Sequence, residues 1–168
     1  MSIEQGEFRQ ALGHFASGVT VITTQHEGQL HGTTVSSFCS LSLQPPLVLV
    51  NIDHRAAIHD LIIASGVFGI NILAEHAEAI SRQFARQLAD KFVGINYRFG
   101  RLDVPLLEDA LTVLECRLFA RYPGGDHSIF VGEVVSTFTA SHSQPLLYYR
   151  SKYSRLHSDS VSLVNNAT

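Results

Sequence analysis

Residues 31–52, HGTTVSSFCSLSLQPPLVLVNI, decide how this chain is read. Six of the ten residues from Thr33 to Ser42 carry hydroxyls, and no charge occurs between His31 and Asp53. A solvated strand face usually carries charge, so these hydroxyls call for another explanation. Successive side chains on a strand point to opposite faces, which sorts the stretch by parity. Odd positions supply Val35, Ser37, Cys39, Leu41 and Leu43, a set suited to a core. Even positions supply Thr34, Ser36, Phe38, Ser40 and Ser42, a hydroxyl face with one aromatic. Uncharged donors beside an aromatic, with no competing carboxylate, suit a planar, polar, anionic ligand. A solvated, Ser/Thr-rich edge strand is the alternative. Pro45-Pro46 interrupts the run, because proline cannot donate to a ladder, and LVLVNI then reads as a fully buried strand.

Upstream, Ser2 and Gln5 resemble a capping box, and Phe8, Ala11, Leu12 and Phe15 recur at helical spacing until Gly18. VTVITT, residues 19–24, is β-branched and strand-like, and His26-Glu27-Gly28-Gln29 reads as a hairpin turn. Downstream, Asp53 is placed to cap a short helix that Gly66 stops. VFGINIL, residues 67–73, reads as a buried strand, and 75–88 as a helix with Ile80, Phe84 and Leu88 on one face. Residues 89–109 are loop-like, with short strands at best. Segments 111–122 and 128–140 are long strands joined by PGGD, 145–149 is a last strand, and the polar tail from 158 is expected to fray. The count is about seven strands and three helices, dominated by tight turns and without βα alternation. A mainly β fold, an antiparallel closed barrel with peripheral helices, follows because closure leaves no edges. With no repeat and no linker, residues 1–168 read as one domain.

At 45% hydrophobic and 16% charged residues, the 168-residue chain can bury a sizeable core. Its mean hydropathy of +0.13 points to an apolar surface used for self-association. The net charge of −3 comes from interspersed groups with no basic run, which disfavours nucleic acid and anionic membrane. No apolar stretch is long enough to span a bilayer, and the start lacks a secretory pattern, so a cytoplasmic protein is expected. Cys39 and Cys116 lie in apolar strand patterns and read as buried free thiols.

Nine histidines raise the question of a metal. His54 and His59 are five apart, roughly 140° round a helix, and do not share a face; no Cys-x-x-Cys or His-Glu-x-x-His occurs. No metal site is expected. Nucleophile-elbow, Gly-x-Gly-x-x-Gly and Walker patterns are also missing. Asp126-His127 follows Gly124-Gly125 at a strand start, where backbone can approach a ligand and imidazole can donate to it. An exposed polar turn is the alternative. Asp53-His54-Arg55 ends a strand and opens a helix, which suits either a phosphate clamp or a solvated first turn. Tyr148, Tyr149, Tyr153 and Arg150 can form a stacking lid or simply pack.

The order GTTVSSFCSLSLQPPLVLVNID, FGINIL, SRQFA, DKF, YPGGDHSIFVGEV and PLLYYRSKY resembles the short-chain flavin reductases, the NAD(P)H:flavin oxidoreductases of two-component monooxygenases. The match runs from about Phe8 to Tyr153. The resemblance implies a split β-barrel of the FMN-binding type, an antiparallel Greek-key homodimer that binds FMN or FAD near the subunit interface. Thr34, Val35, Ser36 and Ser37 would line the isoalloxazine, with Ser40 and Ser42 near the ribityl-phosphate. Asp53, Arg55 and Ala57 would sit at the phosphate end, with His54 a second candidate for holding it. Ser81, Arg82 and Phe84 would add flavin contacts, and His127 would meet the nicotinamide as the catalytic residue, near Tyr148 and Tyr153. The co-substrate would be NADH or NADPH, and the partner a flavin-dependent monooxygenase reached transiently by diffusible reduced flavin. The rival readings are a non-enzymatic flavin carrier, a small-amine oxidase or a corrin reductase on the same barrel.

Overall fold

The computed structural model describes residues 3–140 and 143–157; Ser2 of the expected capping box and the tail from 158 lie outside them. Helix α1 (Gln5–Leu12) ends at Gly13, short of Gly18, and buries none of its residues. Its apolar positions Phe8 and Leu12 are exposed, as is Phe15 beyond it. The chain continues through β1 (Ser17–Gly18) and β2 (Thr20–His26), and turns at Glu27-Gly28 into β3 (Gln29–Val35).

Residues 36–38 leave the ladder before β4 (Cys39–Leu43) pairs with β5 (Pro46–Asp53). That break corrects the parity reading. Cys39, Leu41 and Leu43 are exposed, Leu43 at 93%, because β4 is an edge strand with no second layer over its odd side chains. Cys39 is therefore an exposed free thiol, whereas Cys116 is buried and its thiol is pushed up to about 12, chiefly by desolvation. Nor is β5 fully buried. Val48, Val50 and Ile52 enter the core while Leu47, Leu49 and Asn51 are half-buried, the alternation of an antiparallel strand covered on one face.

Asp53 does not cap the next helix. Helix α2 (Ile58–Ser65) has Ala57 at its N-cap position, and the Asp53 carboxylate accepts the Arg55 N–H at 2.8 Å in a separate turn. Gly66 ends α2 in the left-handed region, and β6 (Val67–Leu73) follows. Helix α3 (Glu78–Ala85) is shorter than its pattern predicts. Ala74 bridges to Pro145, the Glu75 N–H donates to the Gln144 carbonyl, and residues 75–77 form a turn that takes up the start of that pattern. The loop-like region holds β7 (Tyr97–Phe99) and β8 (Pro105–Leu107). The long strands β9 (Ala110–Gly124) and β10 (His127–Thr139) join at Gly125-Asp126, where Gly125 has φ +73°. Short strands β11 (Leu147–Tyr149) and β12 (Lys152–Ser154) finish the described chain.

Seven strands form one antiparallel sheet in the order β3-β2-β6-β9-β10-β5-β4. Its hydrogen bonds do not close into the expected barrel: β3 and β4 remain edges, although they are consecutive in sequence. Two apolar clusters pack against opposite sides of the central strands. One joins Ile22, Val50, Phe68 and Phe130 to Ile58 and Ile62 of α2; the other joins Val21, Leu73 and Val113 to Phe84 of α3, Phe92 and Leu106. Strand β2 is thus covered on both faces, and its buried hydroxyls are satisfied internally. Thr20 donates to the Val35 carbonyl at 3.0 Å, Thr23 to Pro105 at 2.5 Å and Thr24 to Val67 at 2.8 Å. Among the described residues no helix is long and apolar enough to cross a membrane.

Candidate functional site

The end of β5 and the start of β10 lie side by side, with Asp53 opposite His127 and Asn51 opposite Ile129. Period-2 alternation puts Asn51 and Asp53 on the half-buried face of β5, away from the core. Together with the segment leaving β3 they line a cleft of about 310 Å³. The cleft gathers Thr34, Val35, Ser36, Ser37, Asp53 and His127, as the sequence leads one to expect, and adds Thr33, Asn51, Ile52 and Ala56. Ser37 occupies the gap left where β4 stops pairing. Its hydroxyl donates to the Asn51 carbonyl at 3.0 Å and accepts the Asn51 N–H at 3.2 Å. Thr34 donates to the Ser81 carbonyl at 2.7 Å. Both hydroxyl protons are therefore committed to the protein, and the cleft's free donors must come from elsewhere on the 33–37 segment.

His127 Nδ1 lies 2.7 Å from Asp126 Oδ1, and this hydrogen bond and the imidazole charge hold the Asp126 carboxyl below its usual range. His54 turns away from the cleft. Its backbone N–H donates to the Asp126 carbonyl, and Nε2 lies 3.2 Å from Ser128 Oγ. The same hydroxyl lies 2.8 Å from Nε2 of buried His59, whose Nδ1 is 2.6 Å from Asp60 Oδ1. The two imidazoles meet edge-on at 5.1 Å. Helical spacing separates them only if both are helical, and α2 starts after His54.

A second cleft, of about 630 Å³, shares Thr33, Asp53 and Ala56 with the first and continues past Arg55 and Ala57 to His31, Arg86 and Lys91. Arg55 forks onto Asp53, Nε to Oδ1 at 3.1 Å and Nη2 to Oδ2 at 2.6 Å, which holds the Asp53 carboxyl far below the usual carboxylate range. Lys91 Nζ donates to the Gly32 and Phe84 carbonyls, and burial lowers its pKa. Burial, then the charges of His26 and Lys91, lowers the pKa of His31. Arg55, Arg86 and Lys91 against the single, already paired carboxylate of Asp53 make this cleft suited to an anion.

The remaining sequence candidates sit elsewhere. Ser81 Oγ is 2.8 Å from the Tyr153 hydroxyl, Arg82 lies 4.7 Å over the Tyr153 ring while pairing with Glu78, and Tyr148 packs edge-on against Tyr153. The bond from Thr34 to Ser81 ties this cluster to the first cleft. Phe84 is fully buried in the core, and Ser40 and Ser42 lie on β4, outside both clefts. Asn51 went unread because LVLVNI read as buried on both faces, whereas it shares the half-buried face of β5 with Asp53. Lys91 sits in the DKF stretch, where nothing local tells a buried lysine from an exposed one.

The family described as "Flavin reductase like domain" matches residues 12–157. The chain is 40% identical over 151 residues to the reductase component of 4-nitrophenol 4-monooxygenase/4-nitrocatechol 2-monooxygenase from Rhodococcus opacus, covering 90% of this chain and 80% of that one. It is 41% identical over 155 residues to an NADH-dependent flavin reductase from a Rhodococcus species, covering 88% and 84%. A crystal structure of a homologue of nitrilotriacetate monooxygenase component B from Mycobacterium thermoresistibile superposes with a TM-score of 0.90 at 38% identity, over 92% of this chain and 88% of that chain. With its order of motifs, its antiparallel sheet and a match over most of its length, the chain belongs to the flavin reductase like domain family.

Proposed function

We propose that the protein is an NAD(P)H:flavin oxidoreductase of residues 1–168 that reduces FMN or FAD and passes reduced flavin to a separate monooxygenase in the cytoplasm. The observation that carries this reading is the continuity of a hydroxyl-rich cleft, whose one carboxylate, Asp53, is already paired with Arg55, with a cationic one, the two joined at Thr33, Asp53 and Ala56. A flavin has that same division, a polar uncharged ring joined through a ribityl chain to phosphate. The residues also fit the ring in their free polar groups, since the Thr33 and Ser36 hydroxyls of the cleft make no hydrogen bond among the described residues.

When bound, the flavin supplies the hydride acceptor. Backbone and side chains of Thr34 to Ser37 bind the ring without burying an unpaired charge. Arg55 faces the phosphate, while Asp53 holds its guanidinium in a fixed fork. His54, occupied by Ser128, leaves the phosphate to Arg55 and steadies the turn between β5 and α2. His127, half-exposed and oriented by Asp126, positions the nicotinamide at the mouth of the ring cleft. The resemblance to known relatives supports a split-barrel reading of the sheet. Its two edges are consecutive strands, and Ser37 bridges from the end of β3 to Asn51 of β5. A homodimer is supported by apolar side chains left half-exposed on the cleft side of the sheet, Leu47, Leu49 and Ile129.

Oxidation of NADH and of NADPH, each with FMN and with FAD, tests the reading. Flavin-dependent oxidation of at least one nucleotide is expected. Tight flavin binding with no oxidation of either would leave a flavin carrier and end the reductase assignment. His127→Ala is expected to slow reduction of pre-bound flavin on the order of 100-fold at saturating nucleotide, with flavin affinity little changed. An unchanged rate in stopped flow would make His127 only a turn residue.

A further inference from the structure

Ser128 of β10 carries a hydroxyl, 4% exposed, that lines neither cleft. Two imidazoles converge on it. Its Oγ lies 2.8 Å from Nε2 of buried His59 and 3.2 Å from Nε2 of exposed His54, and the two rings meet edge-on at 5.1 Å. Donor and acceptor capacity assigns the protons. An ionised carboxylate accepts and does not donate, so His59 Nδ1, 2.6 Å from Asp60 Oδ1, carries a hydrogen. In neutral His59 the bare Nε2 then accepts the Ser128 hydroxyl, whose oxygen accepts His54 Nε2–H. A charged His59 reverses both bonds to Ser128 and breaks neither. In either state one buried hydroxyl ties His54 to His59.

The chain between these two histidines is the part that borders the anion cleft. Arg55, Ala56 and Ala57 line the cationic cleft, and Ala56 lines the ring cleft as well. Ser128 closes the base of this 54–59 loop, and the His54 backbone N–H fastens the loop to β10 by donating to the Asp126 carbonyl at 3.1 Å. Asp53 orients the Arg55 guanidinium within the turn. The clasp orients the turn against β10, the strand that carries His127. We propose that Ser128, His54 and His59 are positioning residues for the flavin phosphate, holding the 54–59 loop so that Arg55 meets the phosphate at a fixed distance from the ring cleft. They act through Arg55 rather than on the ligand. This inference rests on the flavin reading above and goes beyond it in assigning the buried hydroxyl and its two imidazoles a part in phosphate selectivity. One neutral hydrogen bond of the clasp is worth roughly 3- to 10-fold in affinity.

The test is equilibrium binding of riboflavin and FMN, read by quenching of flavin fluorescence, to wild type, His54→Ala, His54→Gln, Arg55→Ala and the double variant His54→Ala/Arg55→Ala. His54 is exposed, so its replacement leaves the core intact. His54→Ala is expected to weaken FMN roughly 3- to 10-fold and to leave riboflavin within about twofold. His54→Gln, whose amide still donates to Ser128 Oγ, should stay within about twofold of wild type for both flavins. In the Arg55→Ala background, His54→Ala should cost less than about twofold, because the loop then has no phosphate-holding charge to place. Ser128→Ala should reproduce the pattern of His54→Ala. An FMN loss of the same size with and without Arg55 would mean that the imidazole holds the phosphate itself, and overturns the inference. Equal weakening of both flavins by His54→Ala makes the loop a support of the ring pocket or the fold and also overturns it. So does an FMN affinity that His54→Ala leaves unchanged. Failure of wild type to bind either flavin would instead remove the flavin reading itself.

Discussion

Arg55 carries an exposed guanidinium, yet its orientation is not free, since Asp53 holds it along one edge through two side-chain bonds and accepts its N–H as well. The unfilled donors on the guanidinium remain for an anion, which is why phosphate and ring recognition should separate at this residue. Arg55→Ala is expected to weaken FMN roughly 10- to 100-fold while leaving riboflavin within about twofold. The preference of wild type for FMN over riboflavin should fall with added salt, because the pair is solvated. Titration of both flavins checks this, and equal weakening of the two would move Arg55 from the phosphate to the ring or the fold. Glu115 is the opposite case, a carboxylate of β9 that is only 2% exposed. Desolvation alone would raise its pKa, but it accepts the Leu102 N–H at 2.8 Å, the Ser136 hydroxyl and the Arg101 N–H, and these outweigh burial and lower it. A depressed folded-state pKa stabilises the fold above the unfolded value, about 4.3, and the contribution is lost as pH falls through the folded value. Glu115→Gln should therefore cost about 1.5–3 kcal/mol near pH 7 and progressively less below about pH 4. Urea denaturation at the two pH values measures the difference, and a pH-independent cost would show that packing, not charge, is what the carboxylate supplies.

At the scale of elements, α3 lies closest to β3 at Gly32. Gly32 is buried beneath the Phe84 ring, and a Cβ there would come within 2.5 Å of Cε1 and 2.6 Å of Cδ1. The ring cannot readily swing aside, being fully buried and packed edge-on against Phe92 at 5.0 Å. Gly32→Ala is expected to destabilise by about 1–3 kcal/mol through overpacking. Adding Phe84→Leu should recover part of the lost melting temperature, since the smaller side chain relieves the clash that the alanine creates. A single variant that melts like wild type would show that the helix simply shifts. The contact also carries function, because the same helix backbone accepts from Thr34 at Ser81 and from Lys91 at Phe84, one bond beside each cleft. Lifting α3 off β3 should accordingly loosen flavin binding as well as the fold.

For the whole molecule, the uncovered surface is the informative feature. Leu47, Leu49 and Ile129 share the face of Asn51, Asp53 and His127, and this chain leaves them only half-buried. Helix α1 adds an exposed apolar face of Phe8 and Leu12. Surfaces of this kind mark association more often than solvation. Light scattering is expected to give twice the 18.5 kDa chain mass at micromolar concentration. Leu49→Glu should shift the protein toward monomer and weaken flavin binding with it, because the strip adjoins the ring cleft. A wild-type mass of one chain at every concentration would sink the dimer.

The pattern of residues was enough for the order of most elements, because burial imposes period-2 and period-3.6 repeats that glycine and proline punctuate. It gave the turns at 27–28 and 125–126, the stop at Gly66, the buried strand 67–73 and the poor regularity of 89–109. It also gave the cleft residues Thr34 to Ser37, Asp53 and His127, whose identities and order carry the family resemblance. Parity failed where the ladder breaks at 36–38, since alternation predicts faces only while a strand continues, and so Cys39 and Leu43 came out on the wrong side. Partner choice was beyond the sequence altogether. That Ser37 and Thr34 spend their hydroxyl protons on the protein, that His54 turns to Ser128 and that Asn51 keeps a buried oxygen unpaired all depend on residues brought together across the sheet. Local chemistry fixes what a side chain can bond; only tertiary packing decides which of those bonds are already made and which are left for a ligand.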